Sequence, residues 1–240
     1  NMNDILAVAN NAMVGFVRRD GAALVLEGPV SEATRQRVTL PVRVVHDLDV
    51  WPDGFVAVGP STDSPQSIAV SNANPVLVHV DAASGDAHEI EWPEMLGRAL
   101  WIERSSLDDL ILGGERGVAL IPHPDREAVW MNTDPDLHYT RKGWATGETL
   151  LMLDAKDQLI RLDLASGIID GPIDVPRHRA LGALKKVQEG PLGLQILREG
   201  ALALHDPQGI YVGTDSLPGS MQHEHLIRND GEYLLLSYLQ

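Results

Sequence analysis

Histidines and carboxylates are the first residues here whose types and spacing could do chemistry. His46, His138, His178 and His223 stand at or near the start of extended segments, and His225 follows His223 by two residues. On a strand, a spacing of two puts both rings on one face, where neutral imidazoles can grip zinc, iron or a similar ion. His46, His223 and His225 are the candidate metal ligands, and a divalent metal is the cofactor they would hold. Plain polar lining is the competing reading of the same residues. Asp47, Asp49, Glu103 and Glu224 share these segments, and a separated acid and base of this kind can cleave a sugar bond. Trp51, Trp101 and Tyr139 would be ligand contacts or packing, and Arg141 and Arg179 would belong to a positive patch for an anion. Aromatic residues make up only 5% of the chain, with two Phe, which favours packing. No Gly-x-Ser-x-Gly elbow and no cysteine is present, so nucleophilic catalysis finds no support.

The elements that must position these residues repeat. Val76 to Gly85 (VLVHVDAASG) and Leu159 to Gly167 (LIRLDLASG) are alternating strands that end at Asp and run into a Ser-Gly turn. Each is followed by a second strand closing on proline, at Pro93 and Pro176. Asp81 and Asp163 lie 82 residues apart, twice a period of 41, and Val118 to Asp125 falls between them. A fourth copy runs from Ala201 to Gly209. Alternation places one face of each strand in a core. Asp, a small residue and Gly supply the side-chain hydrogen bond and positive φ of a tight reversal. A lone hairpin cannot bury its own face, so neighbours must stack.

Two further strands precede each hairpin. The inner ones are read at Val44–Trp51, Ala99–Arg104, Leu137–Gly143 and Ala180–Val187. The fold class is therefore all-β, a β-propeller of four-stranded antiparallel blades over residues 1–240 as one domain. The blades are placed at about 43–93, 94–135, 136–177 and 178–219. Residues 3–42 and 220–240 are expected to share one closing blade, which removes exposed sheet edges and makes five blades, with six the alternative count. The segment from Pro60 to Pro75 reads as a surface insertion. Aligning Gly54 with Gly231 brings His46 and His223 into register, whereas His138 falls one position off.

The strand-Asp-Ala-Ala-Ser-Gly-strand pattern resembles the repeats of the quinoprotein-like and YVTN-type bacterial propeller superfamily. The resemblance implies a fold and little about activity. Trp92, Trp101, Trp130 and Trp144 fall at different blade positions, so no quinone cofactor is carried over.

Composition bounds the partners. A formal charge of -15, from 34 acidic and 19 basic residues, repels nucleic-acid backbones and anionic membranes and can steer a basic partner onto the surface. No apolar run reaches the roughly 18 residues of a membrane span. These features point to a cytoplasmic, monomeric protein that binds another protein through an acidic propeller face, as immunity proteins mask nuclease toxins. The alternative is a hydrolase or lyase, metal-dependent or glycosidase-like, working at the mouth of the central channel.

Overall fold

A computed structural model describes residues 5–9, 14–18, 23–28, 35–64, 73–105, 107–122, 127–139, 141–154, 158–173, 184–190, 193–198, 201–206, 210–216, 221–229 and 232–239; for 5–9, 221–229 and 232–239 it describes the backbone alone. The chain forms consecutive antiparallel sheets in sequence order. The first holds β1 (Ile5–Ala9), β2 (Val14–Arg18), β3 (Ala23–Glu27) and β4 (Arg35–Thr39). The second holds β5 (Asp47–Trp51), β6 (Gly54–Pro60), β7 (Pro75–Asp81) and β8 (Ala87–Ile90). The third holds β9 (Ala99–Arg104), β10 (Leu110–Gly114), β11 (Val118–Ile121) and β12 (Trp130–Asn132). The fourth holds β13 (Trp144–Thr146), β14 (Thr149–Leu153), β15 (Leu159–Asp163) and β16 (Ile169–Pro172). The fifth holds β17 (Leu184–Gly190), β18 (Gly193–Arg198), β19 (Ala201–His205) and β20 (Tyr211–Ser216). Last come β21 (Met221–Asn229) and β22 (Glu232–Leu239), paired with each other.

The middle strands show why the sheets stack. Phe55 to Val58 is continuously apolar, and every residue of β6 is buried, as expected of a strand covered on both faces. Phe55 and Ala57 pack with Val17, Leu24 and Leu26 of the first sheet. Val56 and Val58 pack the other way, with Ile102, Leu110 and Leu112 of the third. Ile111 and Leu120 then meet Leu150 and Met152 of the fourth sheet, while Leu151 and Leu153 meet Val187 and Ile196 of the fifth. The second, third and fourth sheets thus each lend alternate residues to two cores, the period-two pattern applied twice.

The hairpin turns form as their residues require. The Asp81 carboxylate accepts the Ala83 and Ser84 amides at 3.0 and 2.6 Å, and Gly85 closes the turn at φ 76°. Asp163 accepts the Ser166 amide and hydroxyl at 2.8 and 2.6 Å, with Gly167 at φ 70°. These donors hold both carboxyls below their ordinary range: the Ser84 amide leads at Asp81, the Ser166 hydroxyl at Asp163.

Two expectations part from the structure. The N-terminal strands make a complete four-stranded sheet by themselves, and no ladder among the described residues joins them to β21–β22. Four strands already fill a sheet, so none is left to share. The inner strand of the fourth sheet was expected at Leu137–Gly143, yet the regular ladder begins only at Trp144. Leu137 bridges Asp154 and Trp144 pairs with Leu151, so seven residue steps on one side oppose three on the other. Four extra residues therefore bulge from this strand, and they carry Arg141 and Lys142. Of the 60–75 insertion, the base is described: the Ser61 amide donates to the Asn74 carbonyl at 2.8 Å.

Candidate functional site

Charged side chains converge where the inner strands of three successive sheets meet. On β5, Asp47 accepts its neighbour's amide at Leu48, and Asp49 accepts that of Val50, at 3.0 and 2.8 Å. Their second oxygens reach across to β9, where Asp47 takes the Ile102 amide and Asp49 the Arg104 amide, both at 3.0 Å. Amides two apart on a strand point to the same side, so these two face away from β10, and the carboxylates satisfy an otherwise open sheet edge. Asp47 and Asp49 are fasteners between sheets. The matching two-residue steps also show that β5 and β9 run in the same direction.

Lys142, delivered by the bulge in the fourth sheet, completes the cluster. Its ammonium lies 2.9 Å from Asp47 Oδ2 and 3.2 Å from Glu103 Oε2. Burial pushes the Glu103 carboxyl up to about 7; Lys142 opposes that rise, and the charges of Asp49 and Asp47 add to it. Burial likewise raises Asp49. Burial alone would lower Lys142, but Asp47, Glu103 and Asp49 together hold it above its ordinary value. The Glu103 side chain keeps 22% of its surface exposed and that of Lys142 37%, so the pair is sunk among the strands yet wetted on one side. Glu103 is therefore a carboxyl that exchanges its proton near neutrality beside a fixed positive charge, the state required of a general acid or base.

The other sequence candidates take different places. Trp51, Trp101 and Tyr139 are 2, 3 and 5% exposed, within the packing between sheets. The Trp51 indole N–H donates to the Asp108 carbonyl of the third sheet, and that of Trp101 to the Tyr139 carbonyl of the fourth, both at 2.8 Å. Burial, then the charge of Asp134, raises the Tyr139 phenol, which donates to Asn132 at 3.0 Å. His46 Nδ1 lies 2.6 Å from the Ala99 carbonyl, which can only accept, so that nitrogen carries the proton. Arg141 is exposed on the bulge. Arg179 lies outside the described residues, as do the side chains of His223, Glu224 and His225. The β21–β22 ladder shifts register between His223 and His225, which interrupts the regular strand that their two-residue spacing presumes. Among the described residues no group of three or more His, Asp or Glu side chains could hold a metal ion. Lys142 was not singled out as a site residue from sequence. Its signal was a basic pair, Arg141-Lys142, in a segment read as a regular strand.

A second feature is the distribution of charge between the two ends of the sheets. Up-and-down order places the β5–β6 and β7–β8 turns at one end of a sheet and β6–β7 at the other, and the shared direction of β5 and β9 brings equivalent turns together. At the first end lie Asp53, Asp81, Asp86, Asp108, Asp109, Glu127, Glu148, Asp163 and Asp206. No basic side chain is described in these turns; Arg104, at the end of β9, is tied to Asp108. The opposite end mixes Arg43, Arg98, Arg116, Arg141 and Lys142 with Asp63, Glu91, Glu94, Glu115, Asp134, Asp136 and Asp154. Acidity at the first end is partly turn chemistry, since Asp81, Asp163 and Asp206 each accept amides of their own turn. Asp86, Glu127 and Glu148 are exposed and make no such turn bond among those described.

Neither a protein-family model nor a curated protein matches the sequence. Solved structures do match in shape. Virginiamycin B lyase from Staphylococcus aureus superposes with a TM-score of 0.65 at 11% identity, over 98% of this chain and 83% of that one. A streptogramin B lyase gives 0.68 at 10%, over 95% and 74%. Apo AztD from Citrobacter koseri gives 0.62 at 8%, over 89% and 71%. These are β-propeller proteins of the YVTN and quinoprotein-like type. The chain has a propeller-type fold. The likeness is one of architecture. Asp47 and Glu103 lie on the first strands of the second and third sheets and Lys142 on the bulge before β13, while the acidic turns lie at one end of the sheets. No helix among the described residues is long and apolar enough to cross a membrane.

Proposed function

We propose that this propeller is a binding protein that holds a basic protein partner against its acidic end. The carrying observation is the asymmetry of charge: among the described residues one end bears nine carboxylates against a single basic side chain, Arg104, which is paired with Asp108, whereas the other end is mixed. Such a field steers a cationic partner and orients it before contact. In this reading the protein acts as a cytoplasmic monomer. Its sheets close into a ring, with β21–β22 as a short sixth blade between the fifth sheet and the first. A hydrogen-exchange footprint with a lysine-rich peptide tests the reading. Amides of residues 81–86, 105–109 and 163–168 should gain protection while those of 91–98 and 133–139 stay unchanged; protection spread over both ends would contradict it.

One observation favours a second reading. Glu103, at about 7 beside Lys142, suits acid–base chemistry of a lyase or hydrolase, with Asp47 and Asp49 held back as fasteners. One similar structure is a catalytically inactive virginiamycin B lyase with quinupristin, which makes quinupristin a reasonable probe. Loss of intact quinupristin on chromatography, abolished in Glu103→Gln, would support this reading. Undiminished quinupristin with the wild-type protein would remove that substrate from it.

A further inference from the structure

We propose that the acidic end carries a set of aliphatic anchors, Leu107, Val129, Ile168 and Ile210, so that the partner it fits is a cationic segment which is also amphipathic. The inference rests on the acidic-end reading and adds to it the apolar half of the recognition. All four side chains are more than half exposed. Val129, Ile168 and Ile210 stand just before the outer strands β12, β16 and β20, at the acidic end of three consecutive sheets.

The fold itself does not require aliphatic residues there. The Asp163 amide donates to the Ile168 carbonyl and the Asp206 amide to that of Ile210, just as the Asp81 amide donates to Asp86. An aspartate thus serves the same backbone role in the second sheet, at 3.0 Å from Asp81 N. Burial in a core does not account for the aliphatics either, since they face solvent.

The turns that carry Leu107, Val129 and Ile168 are tied to neighbouring sheets, as anchor residues require. Between Val129 and Ile168 the third and fourth sheets are joined: the Trp130 indole packs on Gly167 and donates to the Leu164 carbonyl at 2.6 Å. Leu107 precedes Asp108, whose φ of 66° is uncommon for a residue with a side chain. That turn is pinned by the Trp51 indole on the Asp108 carbonyl at 2.8 Å and by the ion pair of Arg104 with Asp108. Carboxylates surround these anchors, so an uncharged apolar partner would leave acidic groups facing it, whereas a cationic one complements them.

The test uses two synthetic peptides of equal length and charge, one of Lys and Leu with leucines at helical spacing, the other with those leucines replaced by Ser. Fluorescence anisotropy at low ionic strength compares the wild-type protein with a Leu107→Ser, Ile168→Ser, Ile210→Ser variant whose thermal unfolding matches wild type. The wild-type protein should bind the Lys-Leu peptide about tenfold more tightly than the Lys-Ser peptide. The variant should bind both alike, at the wild-type affinity for the Lys-Ser peptide. Equal binding of both peptides by wild type, or a preference that survives in the variant, overturns the anchors and leaves the acidic end standing. Failure of either peptide to bind wild type overturns the acidic-end reading, and this inference with it.

Discussion

Glu103 is a carboxyl whose proton is contested by neighbours of opposite sign, Lys142 against Asp49 and Asp47. In the unfolded chain it titrates at 4.5, and in the folded protein burial carries it to about 7. Between those values the folded state holds more protons than the unfolded one, so stability falls as pH rises. The stabilisation from the protonated form is full below about 4.5 and is lost as pH passes through about 7. Glu103→Gln keeps the volume and removes the titration. The stability advantage of wild type over this variant should therefore shrink by about 1–3 kcal/mol between pH 4.5 and 8, measured by urea unfolding. An advantage that is constant or grows across that range would mean that Glu103 is ionised throughout. At this scale sequence reading was only partly informative. It singled out Asp47, Asp49 and Glu103 because they share inner strands. It could not assign the aspartates to open amides on β9, because a carboxylate that fastens an edge and one that does chemistry look alike in a sequence.

Among the elements, the tryptophans hold neighbouring sheets together. Trp101 lies over Gly113 so closely that a Cβ there would overlap the indole, and its N–H crosses to the Tyr139 carbonyl. Trp101→Phe would leave that carbonyl without its donor and open space against Gly113. Unfolding should become easier by about 1–3 kcal/mol, and a change below about 0.5 kcal/mol would mean that the contact contributes little. The strands themselves were legible where local rules act alone. β9 falls at Ala99–Arg104, where an inner strand is read from sequence, and the Asp-x-x-Ser-Gly reversals form through the side-chain bonds their residues favour. The bulge before β13 was not legible, since Leu137 to Gly143 carries no proline or turn dipeptide to interrupt a strand, and only its pairing with β14 exposes the four extra residues. The ends were less legible for a related reason. Pairing partners for an edge strand depend on contacts far along the chain, and nothing local says whether four N-terminal strands form one sheet or half of a shared one.

For the molecule as a whole, the charge of -15 acquires a direction. Composition alone is compatible with general solubility, in which case the position of each carboxylate is immaterial. The stacked sheets instead gather carboxylates in excess of basic side chains at one end of the described residues. Two triple variants test the acidic-end reading most directly because they alter net charge equally. One is Asp86→Asn, Glu127→Gln, Glu148→Gln, at the acidic end; the other is Glu91→Gln, Glu94→Gln, Asp136→Asn, at the mixed end. Isothermal titration with a lysine-rich peptide at low salt should show affinity reduced roughly tenfold in the first variant, as three exposed charges allow, and nearly unchanged in the second. Equal losses in both variants would contradict the account, because binding would then follow total charge and not the acidic end.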